Sequence, residues 1–164
     1  MKRTAFFIYL LGLLLATSLH AQSLWPDTRA GMSLEEVKKL FPEARTPEDP
    51  GELPAAHGTE LLRLDETVIA DHKFTVRFFF NEGRLVHVDL FESGEFAMKE
   101  FDKFRDLLRQ KYGLEYSTTS STTMMLEWHV IQTVIRLQWT PVARGIATIS
   151  ISYDAPIPKE TERL

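Results

Sequence analysis

The sequence predicts an α+β protein with an antiparallel β-sheet and helices packed on one face of that sheet. Two segments place apolar residues at helical spacing, and several others alternate apolar and polar residues with a period of two. The connections between the alternating segments are short. Because short connections join antiparallel neighbours, we expect one antiparallel sheet made of two α-β-β-β-like halves, at about 31–92 and 94–154.

The N-terminal segment 1–21 is predicted to be a cleaved secretory signal peptide. Lys2 and Arg3 precede an almost purely apolar run from Ala5 to Ala16, and a more polar stretch ends at Ala21. The apolar run of about 12 residues is shorter than the ~20 residues of a membrane-spanning helix. We expect cleavage after Ala21 and export to the periplasm or the extracellular space, with an uncleaved anchor as the alternative.

A helix is predicted at the start of the first half, over 33–41. Ser33 and Glu36 have the spacing of a capping box, in which each side chain bonds the other residue's backbone N–H. Apolar residues then recur at helical spacing until Pro42, which ends the helix.

A long acidic loop is predicted at 42–60, because the segment holds four prolines and two glycines that oppose regular structure. Such loops are either functional or simply mobile, and both interpretations stay open here. After the loop, alternation predicts a strand over 62–70. Two further strands are predicted to form a hairpin that turns at Asn81-Glu82-Gly83.

The second half begins with a helix predicted over 95–112, which Gly113 ends. Residues 115–121 are either another strand or a Ser/Thr-rich loop. Alternation predicts three more strands, around 124–131, 134–139 and 148–153. We therefore expect a single domain over 22–155 and a flexible tail at 156–164.

Two stretches resemble segments of small bacterial envelope proteins. Gly31 to Val37 resembles their Gly-Met-Ser/Thr-x-x-Glu/Gln-Val opening, and Phe78 to Val88 resembles a hairpin that ends in Phe-Asn-x-Gly and restarts with Leu. This group includes the small lipoprotein subunit of the outer-membrane β-barrel assembly machine and the repeats of the secreted β-lactamase inhibitor protein. The resemblance implies helices on an antiparallel sheet and a role in binding other proteins. This chain departs from both in having no cysteine.

Polar residues occupy the strand positions that alternate with the apolar ones. They are termed here the polar sheet face: Arg77, His87, Asp89, Glu127, His129, Arg136 and Gln138. Because alternate side chains of a strand point to opposite faces, we expect these on the sheet face away from the helices. The face is then a solvated surface held by cross-strand ion pairs, a surface that binds a protein or ligand, or a His/carboxylate site for catalysis or a metal.

Several function classes are disfavoured by composition and motifs. The 164-residue chain has no cysteine and a formal net charge of −4, which argues against thiolate chemistry and against a dedicated nucleic-acid binder. We find no phosphate-binding glycine loop, nucleophile elbow or HExxH zinc motif, so we expect no catalytic residues, cofactor or metal.

The sequence thus predicts a soluble exported binding module without a stable membrane anchor after signal cleavage. Its expected partner is another envelope protein, engaged through the polar sheet face or the loop at 42–60. One alternative is a small-ligand carrier, which requires an apolar cavity between helices and sheet. The other is a hydrolase or metal-dependent enzyme, in which His87, Asp89, Glu127 and His129 would converge in a pocket.

Overall fold

The computed structural model describes residues 24–54, 58–95, 98–119, 122–131 and 133–155. The predicted signal peptide and the predicted tail lie outside these residues. The described residues form two α-helices, α1 (Leu34–Leu40) and α2 (Met98–Tyr112). They also form eight strands: β1 (Glu52–Leu53), β2 (Gly58–Ile69), β3 (His72–Asn81), β4 (Arg84–Gly94), β5 (Tyr116–Thr119), β6 (Met124–Val130), β7 (Thr133–Ala143) and β8 (Ile146–Asp154).

All eight strands of the described residues belong to one antiparallel sheet, in the order β1-β2-β3-β4-β8-β7-β6-β5. The α+β class and the antiparallel sheet are therefore confirmed. Because β4 pairs with β8, the strands that precede α2 and those that follow it meet at the centre of the sheet. Four strands follow each helix in the described residues, whereas about three were expected in the first half and three or four in the second.

Local signals in the sequence set the ends of several elements. At the start of α1, Ser33 Oγ accepts the Glu36 N–H at 3.3 Å, and the Glu36 carboxylate accepts the Ser33 N–H at 2.8 Å. The predicted capping box is therefore confirmed. The hairpin between β3 and β4 turns through Glu82 and Gly83 at φ of 47° and 74°, a left-handed geometry that glycine adopts readily. Gly113 ends α2 at φ of 86°.

The segment 42–60 contains more regular structure than the sequence predicted. Glu52–Leu53 form β1 on the edge of β2, and Arg45 exchanges two backbone hydrogen bonds with Arg63, at 2.9 and 2.8 Å. β1 forms because β2 starts at Gly58 and not near residue 62, so its longer edge offers unpaired backbone groups to Glu52 and Leu53. None of the four prolines of the segment is one of these paired residues, so they do not block these bonds.

The apolar core joins both helices to the alternate residues of the strands. Its members include Val37 of α1 and three residues on one side of α2, namely Phe101, Phe104 and Leu108. The Phe104 ring lies 5.4 Å from that of Phe74 in β3. Neither helix of the described residues is long and apolar enough to cross a membrane.

An aromatic group extends the core at the start of the chain. The ring of Phe41, which follows α1, lies 5.5 Å from Phe78 in β3 and 5.4 Å from Trp25. The residues before α1 are thereby fixed against the sheet.

Candidate functional site

The strand register places the polar sheet face in two adjacent rows across the sheet. The first row runs Arg77, Asp89, Ser152, Arg136, Glu127 and Tyr116, from β3 to β5. The second row runs Phe79, His87, Asp154, Val134 and His129. All the predicted residues except Gln138 fall in these two rows. Gln138 lies opposite Ser150 and donates to Thr140 Oγ1 at 3.0 Å.

Four side chains of the polar sheet face and that of Asp154 form one continuous chain of hydrogen bonds and ion pairs, termed here the five-residue network. His87 Nδ1 lies 2.7 Å from Asp154 Oδ1, and the other Asp154 oxygen accepts from Arg136 Nη1. Arg136 Nε donates to Glu127 Oε2 at 2.7 Å, and the second Glu127 oxygen contacts His129 Nε2. The network therefore crosses four neighbouring strands, with histidine at both ends.

Burial changes along the five-residue network. His87, on the central strand β4, is 5% exposed, whereas the side chain of His129, on β6, is 57% exposed. The Tyr116 ring on β5 lies 5.6 Å from the His129 ring, and Tyr116 is 69% exposed. One end of the network is thus enclosed by protein, and the other is open to solvent.

A second cluster centres on Asp89, which is 4% exposed. Arg77 Nε donates to Asp89 Oδ2 at 3.0 Å, and Ser150 Oγ donates to Asp89 Oδ1 at 2.8 Å. The Arg77 guanidinium lies 4.8 Å from the ring centroid of Phe91, in cation–π geometry. Both oxygens of this buried carboxylate are satisfied, as a buried charge requires.

The segment 42–60 adjoins the enclosed end of the polar sheet face. Glu60 is fully buried and accepts the Gly51 N–H at 3.0 Å and Arg63 Nη2 at 2.8 Å. Its hydrogen bond with Arg63 raises the pKa of that guanidinium, which stays cationic. Glu60 pairs in register with Phe79, and the Phe79 ring lies 5.2 Å from the His87 ring. The segment 42–60 is therefore linked to the enclosed end of the polar sheet face through the buried residues Glu60, Phe79 and His87.

The residues of the enzyme alternative do not converge on one point. Glu127 and His129 contact each other, but His87 pairs with Asp154 and Asp89 pairs with Arg77. Within the described ranges, no group of three or more His, Asp or Glu residues could hold a metal ion. The arrangement fixes alternating charges along the sheet surface.

Sequence reasoning missed several residues of this surface. Ser150, Ser152 and Asp154 alternate with the apolar residues of β8, so the period of two was a usable signal for them. Tyr116 was missed because residues 115–121 had no assigned state. Glu60 was missed because the start of β2 was placed too late.

Comparisons of the chain with known protein families, with curated proteins and with solved structures returned no match.

Proposed function

We propose that this chain is an exported binding module that engages another envelope protein through the polar sheet face. The observation that carries the proposal is the five-residue network, which holds its charged side chains in fixed positions before any partner arrives. Side chains that are already ordered lose less conformational entropy on association. A pre-ordered set of charges also rejects partners with the wrong charge pattern.

The open end of the network has the residue types that dominate protein interfaces. Tyr and Arg are enriched among the residues that carry most binding energy. Here exposed Tyr116 and His129 lie beside Arg136, whose position Glu127 and Asp154 fix. The partner surface is expected to centre on these residues, with buried His87 bound to Asp154 at the other end of the five-residue network.

Export is part of the proposal and rests on the three-part layout of segment 1–21. Cleavage after Ala21 would release a soluble protein to the periplasm or beyond, where envelope proteins are its available partners. The resemblance to envelope proteins that bind other proteins supports the same conclusion.

The proposal includes two α-β halves with both helices on one face of the sheet. Its support is that α1 contacts β2, whereas α2 contacts β6 and β7. Each helix thus contacts strands of its own half, and Phe104 of α2 also contacts Phe74 of β3. The opposite face would then stay open for a partner.

Co-purification from an envelope extract tests the proposal. The test variant carries Tyr116→Ala and His129→Ala. Both side chains are exposed, and their removal leaves the pairs of buried Asp89 and buried His87 intact. The control variant carries Lys99→Ala and Asp106→Ala, two exposed positions on α2. A second test variant, Arg77→Ala with Glu127→Ala and Arg136→Ala, removes three charged side chains of the face.

The expected result is one envelope protein that co-purifies with the wild type and with the control variant but with neither test variant. Circular dichroism should show that all four proteins are folded. The proposal is wrong if the set of co-purifying proteins is unchanged in the Tyr116→Ala/His129→Ala variant.

A further inference from the structure

A groove of about 330 Å³ lies between α2 and the side of the sheet that carries the core cluster. Leu90 and Ile151 of the central strands form its floor, and Leu108 of α2 and Trp25 line its sides. All four side chains belong to the apolar core. The groove, termed here the α2 groove, is distinct from the polar sheet face, because its floor residues alternate with the polar ones along β4 and β8.

Two large apolar side chains stand exposed among the residues that line the α2 groove. Val68 of β2 is 65% exposed, and Leu107 of α2 is 45% exposed. Apolar surface exposed at the mouth of an apolar cavity is typical of a ligand-binding groove. An occupant that covers both side chains gains hydrophobic free energy in proportion to the area it buries.

The charged group of the α2 groove is a lysine. Lys111 lines the groove, and its ammonium lies 5.0 Å from the ring centroid of Tyr112. No aspartate or glutamate is among the described residues that line the groove. Burial raises the pKa of Tyr153 inside the groove, so its phenol stays neutral. The groove therefore offers an apolar interior and one positive charge.

We propose that the α2 groove binds a single-chain amphiphile with an anionic head group, of the fatty-acid type. The chain lies along Leu90, Ile151 and Leu108, and the carboxylate pairs with the Lys111 ammonium. Small-molecule sites have volumes of roughly 300–1,000 Å³, and the α2 groove lies near the lower end of this range. This volume suits one acyl chain and not a two-chain lipid. This site is independent of the proposed protein-binding function, and either can fail without the other.

Calorimetric titration of the purified protein with straight-chain carboxylates, from hexanoate to dodecanoate below their micelle concentrations, tests this site. The Kd is expected to fall about fourfold for each added methylene until the groove is filled, and then to level off. Lys111→Met should weaken carboxylate binding about threefold and leave the matching alcohols unaffected.

A matched pair of charge substitutions locates the site. Leu107→Asp places a carboxylate in the α2 groove and should abolish binding of the carboxylates. Leu114→Asp introduces the same charge at an exposed leucine that does not line the groove, and should leave binding unchanged.

Three results would overturn the proposal. The first is a Kd that does not depend on chain length, and the second is unchanged binding by Leu107→Asp. The third is that the wild type is a dimer, that Leu107→Asp is a monomer, and that neither protein binds a carboxylate. This result would assign the groove to a second copy of the chain.

Discussion

Arg77 and Asp89 lie directly opposite each other on β3 and β4, and the guanidinium donates to one carboxylate oxygen at 3.0 Å. Ser150 on β8 donates to the other oxygen. The two charges differ in burial, because the Asp89 side chain is 6% exposed and that of Arg77 is 28% exposed. The carboxylate therefore depends on its partner more than the guanidinium does.

This asymmetry predicts unequal effects on stability. Arg77→Met leaves the buried Asp89 carboxylate without its cationic partner and should lower the free energy of unfolding by about 3 kcal/mol. Asp89→Asn keeps the shape, leaves a partly exposed guanidinium and should cost about 1 kcal/mol. The double variant should be more stable than Arg77→Met alone, as measured by urea unfolding. A double variant no more stable than Arg77→Met would contradict this account of the pair.

The attachment of segment 42–60 gives a second prediction. A methyl group at Gly51 would lie 3.1 Å from Glu60 Oε2 and 3.5 Å from the Phe79 ring. Gly51→Ala should therefore destabilise the protein by about 1–2 kcal/mol and speed hydrogen exchange of the Glu60 amide, which donates to Gly51 O at 2.8 Å. Glu48→Ala, at an exposed position of the same segment, is the control and should change neither. Unchanged exchange in Gly51→Ala would mean that the segment is not held at this point.

Acid pH should weaken the contact between α2 and the start of β5. The hydrogen bond from Arg109 lowers the pKa of Glu115 below its ordinary value of 4.5. A carboxyl whose pKa is lower in the folded state stabilises the fold above its unfolded pKa, and this contribution is lost as the pH falls through the folded pKa. The stability difference between wild type and Glu115→Gln should thus be largest near neutral pH and vanish in strong acid. A difference that is constant with pH would contradict the assignment.

Glu92 should show the opposite dependence on pH. Burial raises the pKa of Glu92 above 4.5, and His72, whose Nδ1 lies 3.4 Å from Glu92 Oε2, offsets only part of that rise. The protonated form is favoured in the folded state, so stability is lost as the pH rises through the folded pKa. Glu92→Gln should therefore be more stable than wild type at neutral pH and equal to it below pH 4. A less stable Glu92→Gln at neutral pH would show that the His72 contact outweighs burial.

The elements that the sequence predicted well depend on local chemistry. The capping box at Ser33, the hairpin at Gly83 and the helix end at Gly113 each involve residues a few positions apart. The strand β1 was not predictable in this way, because two residues carry no periodicity. It forms only because the edge of β2 lies beside it.

The candidate site shows the same division between local and long-range information. Alternation placed His87 and Arg136 on the polar sheet face, but their shared partner Asp154 depends on the pairing of β8 with both β4 and β7. The burial of His87 is also non-local, because Phe79 and the strand pairing around it enclose a polar residue that alternation alone would leave in solvent.

Site-specific photo-crosslinking in living cells tests the central claim most directly. A photoreactive amino acid at Tyr116 lies at the open end of the five-residue network, and the same amino acid at Lys99 lies on α2. The account predicts an adduct with one envelope protein from position 116, lost when Arg136→Ala is added, and no such adduct from position 99. An adduct from position 99 together with none from position 116 would contradict binding through the polar sheet face.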